Sequence, residues 1–108
     1  MNPTTAAITE LFDRIPRRHT SDNVKDIYSI VDEYEDLLKT IEGENSFYEK
    51  NTASFFDELD MVRSIIKKST DNKASKKNKD SFFDEASGAL KDSMQALMEL
   101  YADGNRTA

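Results

Sequence analysis

The chain has 108 residues, 37% hydrophobic and 33% charged, with a net charge of −6. That length holds one domain at most, with a modest core hiding roughly 65% of the unfolded surface. The absence of cysteine excludes disulfides and thiolate metal sites, and no apolar run approaches the ~18 residues of a membrane span. No membrane insertion is therefore expected. The N-terminus shows no basic segment followed by a hydrophobic one, so a cytoplasmic location is the expectation.

Only three glycines and two prolines punctuate the chain, and the alternation typical of strands is missing, which predicts an all-α protein. Asn2 and Pro3 read as the N-cap and first residue of a short helix within residues 1–16, with Ile8, Leu11, Phe12 and Ile15 on one face. Arg14, Arg17 and Arg18 lie at its C-terminal end, where positive charge suits the helix dipole. Residues 16–21 form a connector holding the single histidine, His19, expected as an exposed linker residue.

Ser21 or Asp22 caps a second helix over 22–42. Its seam is Val24, Ile27, Val31, Tyr34, Leu38 and Ile41, a heptad-like spacing widened by Tyr28, Ile30 and Leu37. Gly43 is expected to stop it in the left-handed conformation. Asn45 or Ser46 starts a third helix over 46–68 with the seam Tyr48, Thr52, Phe55, Leu59, Val62 and Ile66. The short turn between them predicts an antiparallel hairpin about 30 Å long. One continuous third helix is expected, with a break at 50–54 as the alternative.

Residues 69–80 carry no apolar group except Ala74 and read as a flexible basic linker. Ser81 is then the expected cap of a fourth helix over 81–103, carrying Phe82, Phe83, Ala86, Leu90, Met94, Leu97, Met98 and Tyr101. Gly88 marks either a close helix crossing or a weak point within it, and Gly104 is the expected stop before a frayed tail. The predicted architecture is a short helix, a long helical hairpin and a fourth helix across it: a three- to four-helix bundle.

A serine followed by two aromatics and an acid occurs three times, beginning at Ser46, Ser54 and Ser81, and holds six of the ten aromatics. Serine three residues before an acid is a helix-start signature. The first and third instances are read as caps plus packing, and the middle one as packing alone. Spacings of 8 and 27 residues suit no solenoid period.

Few groups invite chemistry. Arg14 and His19 have an Arg-x4-His spacing that resembles the ribonuclease motif of HEPN-type helical nucleases, but Pro16 interrupts it and Ile15 replaces the polar residue that often follows the arginine. Asp32, Glu33, Glu35 and Asp36 form a dense acidic group beside the buried seam, read as a solvated helix face. No Glu-x-x-His pair, phosphate-binding glycine loop, nucleophile elbow or zinc spacing is present. No catalytic residue, metal ligand or cofactor is assigned.

Charge is unevenly distributed. Residues 22–60 carry a net −9, residues 61–79 a net +6 and residues 80–108 a net −4. The leading expectation is a non-enzymatic protein–protein interaction module (adaptor, chaperone, inhibitor or assembly subunit), binding a protein partner or a second copy through aromatic and aliphatic helix faces. Phe47, Phe56, Phe82 and Met98 fall off the best seams and are the candidate anchors. The alternative is binding to an anionic surface or nucleic acid through the basic loop, with Lys67, Lys68, Lys73, Lys76, Lys77 and Lys79 as anion contacts. That run lacks interleaved aromatics, so base stacking is not indicated and nucleic acid is the less favoured partner. A further alternative is an acidic nucleic-acid mimic acting as an inhibitor.

Two short resemblances add little to this. Phe55–Arg63 resembles the opening of the first helix in syntaxin N-terminal three-helix domains, without a SNARE helix or membrane anchor downstream. Ile41-Glu42-Gly43 is similar in position to the Trp-x-Gly turn of the small helical hairpins exported by type VII systems, with the tryptophan replaced.

Overall fold

A computed structural model describes residues 3–107, and side chains for 3–101. Within them the chain forms α1 (Pro3–Arg14), α2 (Ser21–Glu42), α3 (Ser46–Asn51), α4 (Ala53–Ser69) and α5 (Lys76–Thr107), with no strand. The expected all-α bundle is therefore observed. Asn2, the expected cap of α1, lies outside the described residues.

Long-range contacts fix the topology. Arg14 meets Glu33, so α1 runs antiparallel to α2. Arg63 meets Asp32 and Glu35, so α4 is antiparallel to α2. Lys68 lies over Phe82 and Tyr48 stacks on Tyr101, so the third arm (α3 and α4) is antiparallel to α5 along its whole length. Tyr34 reaches Ser93 across the core, and Thr9 reaches Met98. The helices alternate up and down around the cycle α1–α2–α4–α5. The closest pairing is α4 with α5, rather than the α2–α4 hairpin that the matched seams suggest.

The seams behave as their periodicity requires. Ile27, Val31, Tyr34, Leu38 and Ile41 are buried, with Val24 half-buried at the end of the row. Tyr48, Thr52, Phe55, Leu59, Val62 and Ile66 are all buried. From α5 come Phe83, Ala86, Leu90, Met94, Leu97 and Tyr101, while α1 contributes Ile8 and Leu11, followed by Ile15.

Two helix starts differ from expectation, because another capping residue precedes the expected one, while α3 starts at the first of its two expected caps. Thr20 caps α2, its Oγ1 accepting from the Asn23 N–H at 3.0 Å. Asn45 caps α3 by accepting from the Tyr48 N–H, which leaves Ser46 as the first helical residue. Ser75, not Ser81, caps α5, accepting from the Asn78 N–H at 3.2 Å. None of the three tetrad serines is a cap.

The expected flexible linker 69–80 shrinks to the turn 70–75. Asp71 holds this turn: its carboxylate accepts the Lys73 N–H at 2.9 Å and its carbonyl accepts the Ala74 N–H. Five polar residues, Lys76–Asp80, are helical without an apolar periodicity to announce it. At the other end α5 continues to Thr107, past Gly104. A glycine costs a helix about 1 kcal/mol but puts no steric block in its path.

The third arm breaks at Thr52, within the alternative span and against the expectation of one continuous helix. Thr52 is fully buried, and its Oγ1 donates to the Tyr48 carbonyl at 2.7 Å, the same oxygen its own N–H uses. Such back-bonding bends helices. Gly43 has φ −75°, so the α2–α3 turn needs no left-handed residue; its N–H bonds Lys39 and the Glu44 N–H bonds Ile41.

Gly88 is exposed and a Cβ there meets no atom within 4 Å, so it marks no helix crossing. Gly88→Ala is expected to stabilise the protein by about 1 kcal/mol. A thermal melt checks this, and an unchanged or lowered Tm contradicts it.

Candidate functional site

The acidic group of α2 is tied to the neighbouring helices. The Arg14 guanidinium spans both Glu33 oxygens at 3.1 and 2.7 Å. Arg63 reaches Asp32 at 2.9 Å and Glu35 at 3.0 Å, and Lys39 also approaches Glu35. The Arg14 hydrogen bonds hold the Glu33 carboxyl below its ordinary value. That stabilisation is present above the ordinary carboxylate pKa and is lost as pH falls through the lowered one. Both partners are about half exposed, so the pair contributes about 0–1 kcal/mol. Asp32, Glu33 and Glu35 are thus engaged within the bundle, which leaves fewer acids free to imitate a phosphate row.

The four anchor candidates separate. Phe56, Phe82 and Met98 are half-buried and pack on the protein's own core. Phe47 remains 40% exposed, its ring edge against Tyr48. Met61, which the sequence reading passed over, is the most exposed large apolar side chain described, at 53%. Its position between Leu59 and Val62, out of phase with the buried seam, was the available signal.

Met61 borders a groove of about 360 Å³ between α4 and α5, together with Glu58, Ala89, Asp92, Ser93 and Ala96. The α5 wall is made of short side chains, and its Ser93 holds Tyr34 from beneath at 3.0 Å. In the same groove the Glu58 Oε2 is buried with no hydrogen-bond partner.

A second surface forms at the end of the bundle shared by the connector, the start of α2, the end of α4, the 70–75 turn and the start of α5. His19 is tucked in rather than exposed: its side chain is 18% accessible, its ring meets Phe83 edge-on at 5.6 Å, and Nδ1 lies 3.7 Å from Asp80. The connector is fastened at both ends. Ser87 Oγ donates to the Pro16 carbonyl, and Asn23 Nδ2 donates to the Arg18 carbonyl at 2.7 Å.

On one side of His19 lies a cleft of about 300 Å³ with Arg17, Arg18, Lys76 and Asp84 around it. On the other lies one of about 320 Å³ with Lys25, Ser69, Asn72 and Lys79. A third, of about 470 Å³, is bordered by Lys67 and Lys68. The structure thus brings two of the predicted lysines, Lys76 and Lys79, beside Arg17, Arg18 and Lys25, which are remote from them in sequence, with Lys67 and Lys68 on the third cleft. Arg14 lies elsewhere, bound to Glu33, so the Arg-x4-His spacing makes no shared site.

Among the described residues no group of three or more His, Asp or Glu side chains could hold a metal ion, and no helix is long and apolar enough to cross a membrane. No family model, curated protein or solved structure matches the chain.

Proposed function

We propose that the protein is a non-enzymatic helical interaction module that receives a partner's helix in the groove between α4 and α5. The observation that supports this reading is the pairing of Met61, 53% exposed, with a buried Glu58 oxygen that has no donor. Glu58 is half-buried on the groove wall, where a cationic group on an incoming helix would pair with its carboxylate. The short side chains of Ala89 and Ala96 leave room for a third helix to approach. An amphipathic helix with an apolar residue against Met61 and one Lys or Arg over Glu58 matches the groove in shape and charge.

Met61→Lys and Ala96→Glu each place a charge in the groove at an exposed position and leave the buried core untouched, so stability should change by less than about 0.5 kcal/mol. Both are expected to weaken capture of the partner from native lysate by about tenfold or more. Sedimentation of the purified chain tells whether the partner is a second copy. If both variants retain the partner at unchanged affinity and Phe47→Ala releases it, the binding face is the α3 end and the groove reading is wrong.

A further inference from the structure

We infer that the end of the bundle around His19 is a basic docking pole for an anionic lipid surface. Residues 17–26 and 67–84 hold nine of the fifteen lysines and arginines against five acids, a net of +4, which leaves −10 for the rest of the chain. The cations also differ in how they are used. Away from the pole, Arg14, Lys39 and Arg63 are in ion pairs with acids, while Lys50 and Lys91 are in none with another described residue. Among the described residues, none of the nine pole cations is in an ion pair, although Asp80 and Asp84 line the cleft with Arg17, Arg18 and Lys76, and Asp71 the one with Lys67 and Lys68. Eight of the nine are exposed.

The helix dipoles account for Lys67 and Lys68 in the last turn of α4 and for Arg17 and Arg18 just beyond α1, but not for the lysines that open α5. Lys76, Lys77 and Lys79 occupy the first turn of α5, where the helix dipole disfavours positive charge and no acid is present to offset it. Asp71, the acid within the turn, is engaged by the Lys73 N–H. The cations are held beside one another, free for an external anion.

Shape and charge select a plane over a thread. The bundle measures 49 × 24 × 17 Å and the pole is one of its narrow ends. Docked end-on, the pole meets the surface while the acidic shaft points away, most of it beyond the Debye length of about 8 Å. A nucleic-acid strand longer than the pole would be carried along the −10 shaft. The pole also offers no open aromatic for base stacking: Phe83 is fully buried, and Phe82 is half-buried with Lys68 over its ring. Neither exposed large apolar side chain, Phe47 or Met61, lies there, so attachment would be electrostatic and reversible.

The test is co-sedimentation of the intact protein with vesicles of equimolar phosphatidylserine and phosphatidylcholine, against pure phosphatidylcholine and a single-stranded oligonucleotide. Binding to the anionic vesicles alone is expected, weakened by about tenfold or more when salt is raised from physiological to about 1 M. Arg17→Glu/Arg18→Glu and Lys76→Glu/Lys79→Glu should each abolish it, with circular dichroism confirming that the helices persist. The first pair lies outside the lysine run and separates a pole from a simple basic loop. Absence of binding to anionic vesicles overturns the inference, as does binding that survives Arg17→Glu/Arg18→Glu. Tighter binding to the oligonucleotide than to vesicles overturns it in favour of nucleic acid.

Discussion

Phe83→Ala is expected to destabilise the bundle by about 3–5 kcal/mol, the usual cost of emptying a fully buried phenylalanine site. The Phe83 side chain has no solvent exposure and forms the floor on which His19 rests. Its loss therefore opens a cavity in the core and unseats the connector between α1 and α2. Domains of this size are commonly stable by 5–15 kcal/mol, so this one change removes a large share. The melting temperature should fall by more than about 10 °C. Phe82→Ala, one residue away, is the control. Phe82 is half-buried at the rim with Lys68 over its ring, and its loss should cost well under half as much. Equal effects of the two changes in denaturant titrations would contradict the packing described.

Alkaline pH should unfold the protein through Tyr34. Its ring is fully buried, and burial pushes the phenol well above its ordinary value, although the Ser93 hydrogen bond works in the other direction. The folded state therefore keeps a proton that the unfolded chain releases. Stability from this group is fully present below the unfolded pKa of about 10 and is lost as pH rises towards the folded value. The expected slope is about 1.4 kcal/mol per pH unit above that point.

At neutral pH Tyr34→Phe should cost about 1 kcal/mol, because Ser93 Oγ loses its partner at 3.0 Å. Above pH ~10 the difference should shrink and then reverse, since phenylalanine has no proton to lose. Urea titrations of both proteins from neutral pH to about 11 measure this crossing. Parallel profiles would mean that Tyr34 does not control alkaline unfolding.

The aromatic tetrads show where local pattern stops being informative. Phe82 and Phe83 are adjacent, equally apolar and part of the same tetrad, yet Phe83 reaches the centre of the core and Phe82 only its rim. On a helix, neighbours in sequence point about 100° apart, and only the position of the surrounding helices decides which direction is inward. Ser46 and Ser81 likewise fit a cap signature that Asn45 and Ser75 override. A cap forms wherever the chain first has a free carboxamide or hydroxyl at the right backbone geometry, and a second candidate further along is then simply helical.

The sequence by itself determined that this is a helical bundle and which residues form the buried rows of α2 and of the α3–α4 arm. Apolar periodicity is a property of a single helix and requires no knowledge of its neighbours. It also placed six lysines in one short stretch. Tertiary structure alone decided that α4 pairs most closely with α5, that Met61 and Glu58 share a groove with Ala89 and Ala96, and that Arg17, Arg18 and Lys25 lie beside Lys76 and Lys79 at one pole. Those outcomes depend on how helix axes are arranged, and polar stretches such as Lys76–Asp80 carry no periodicity from which an arrangement could be read.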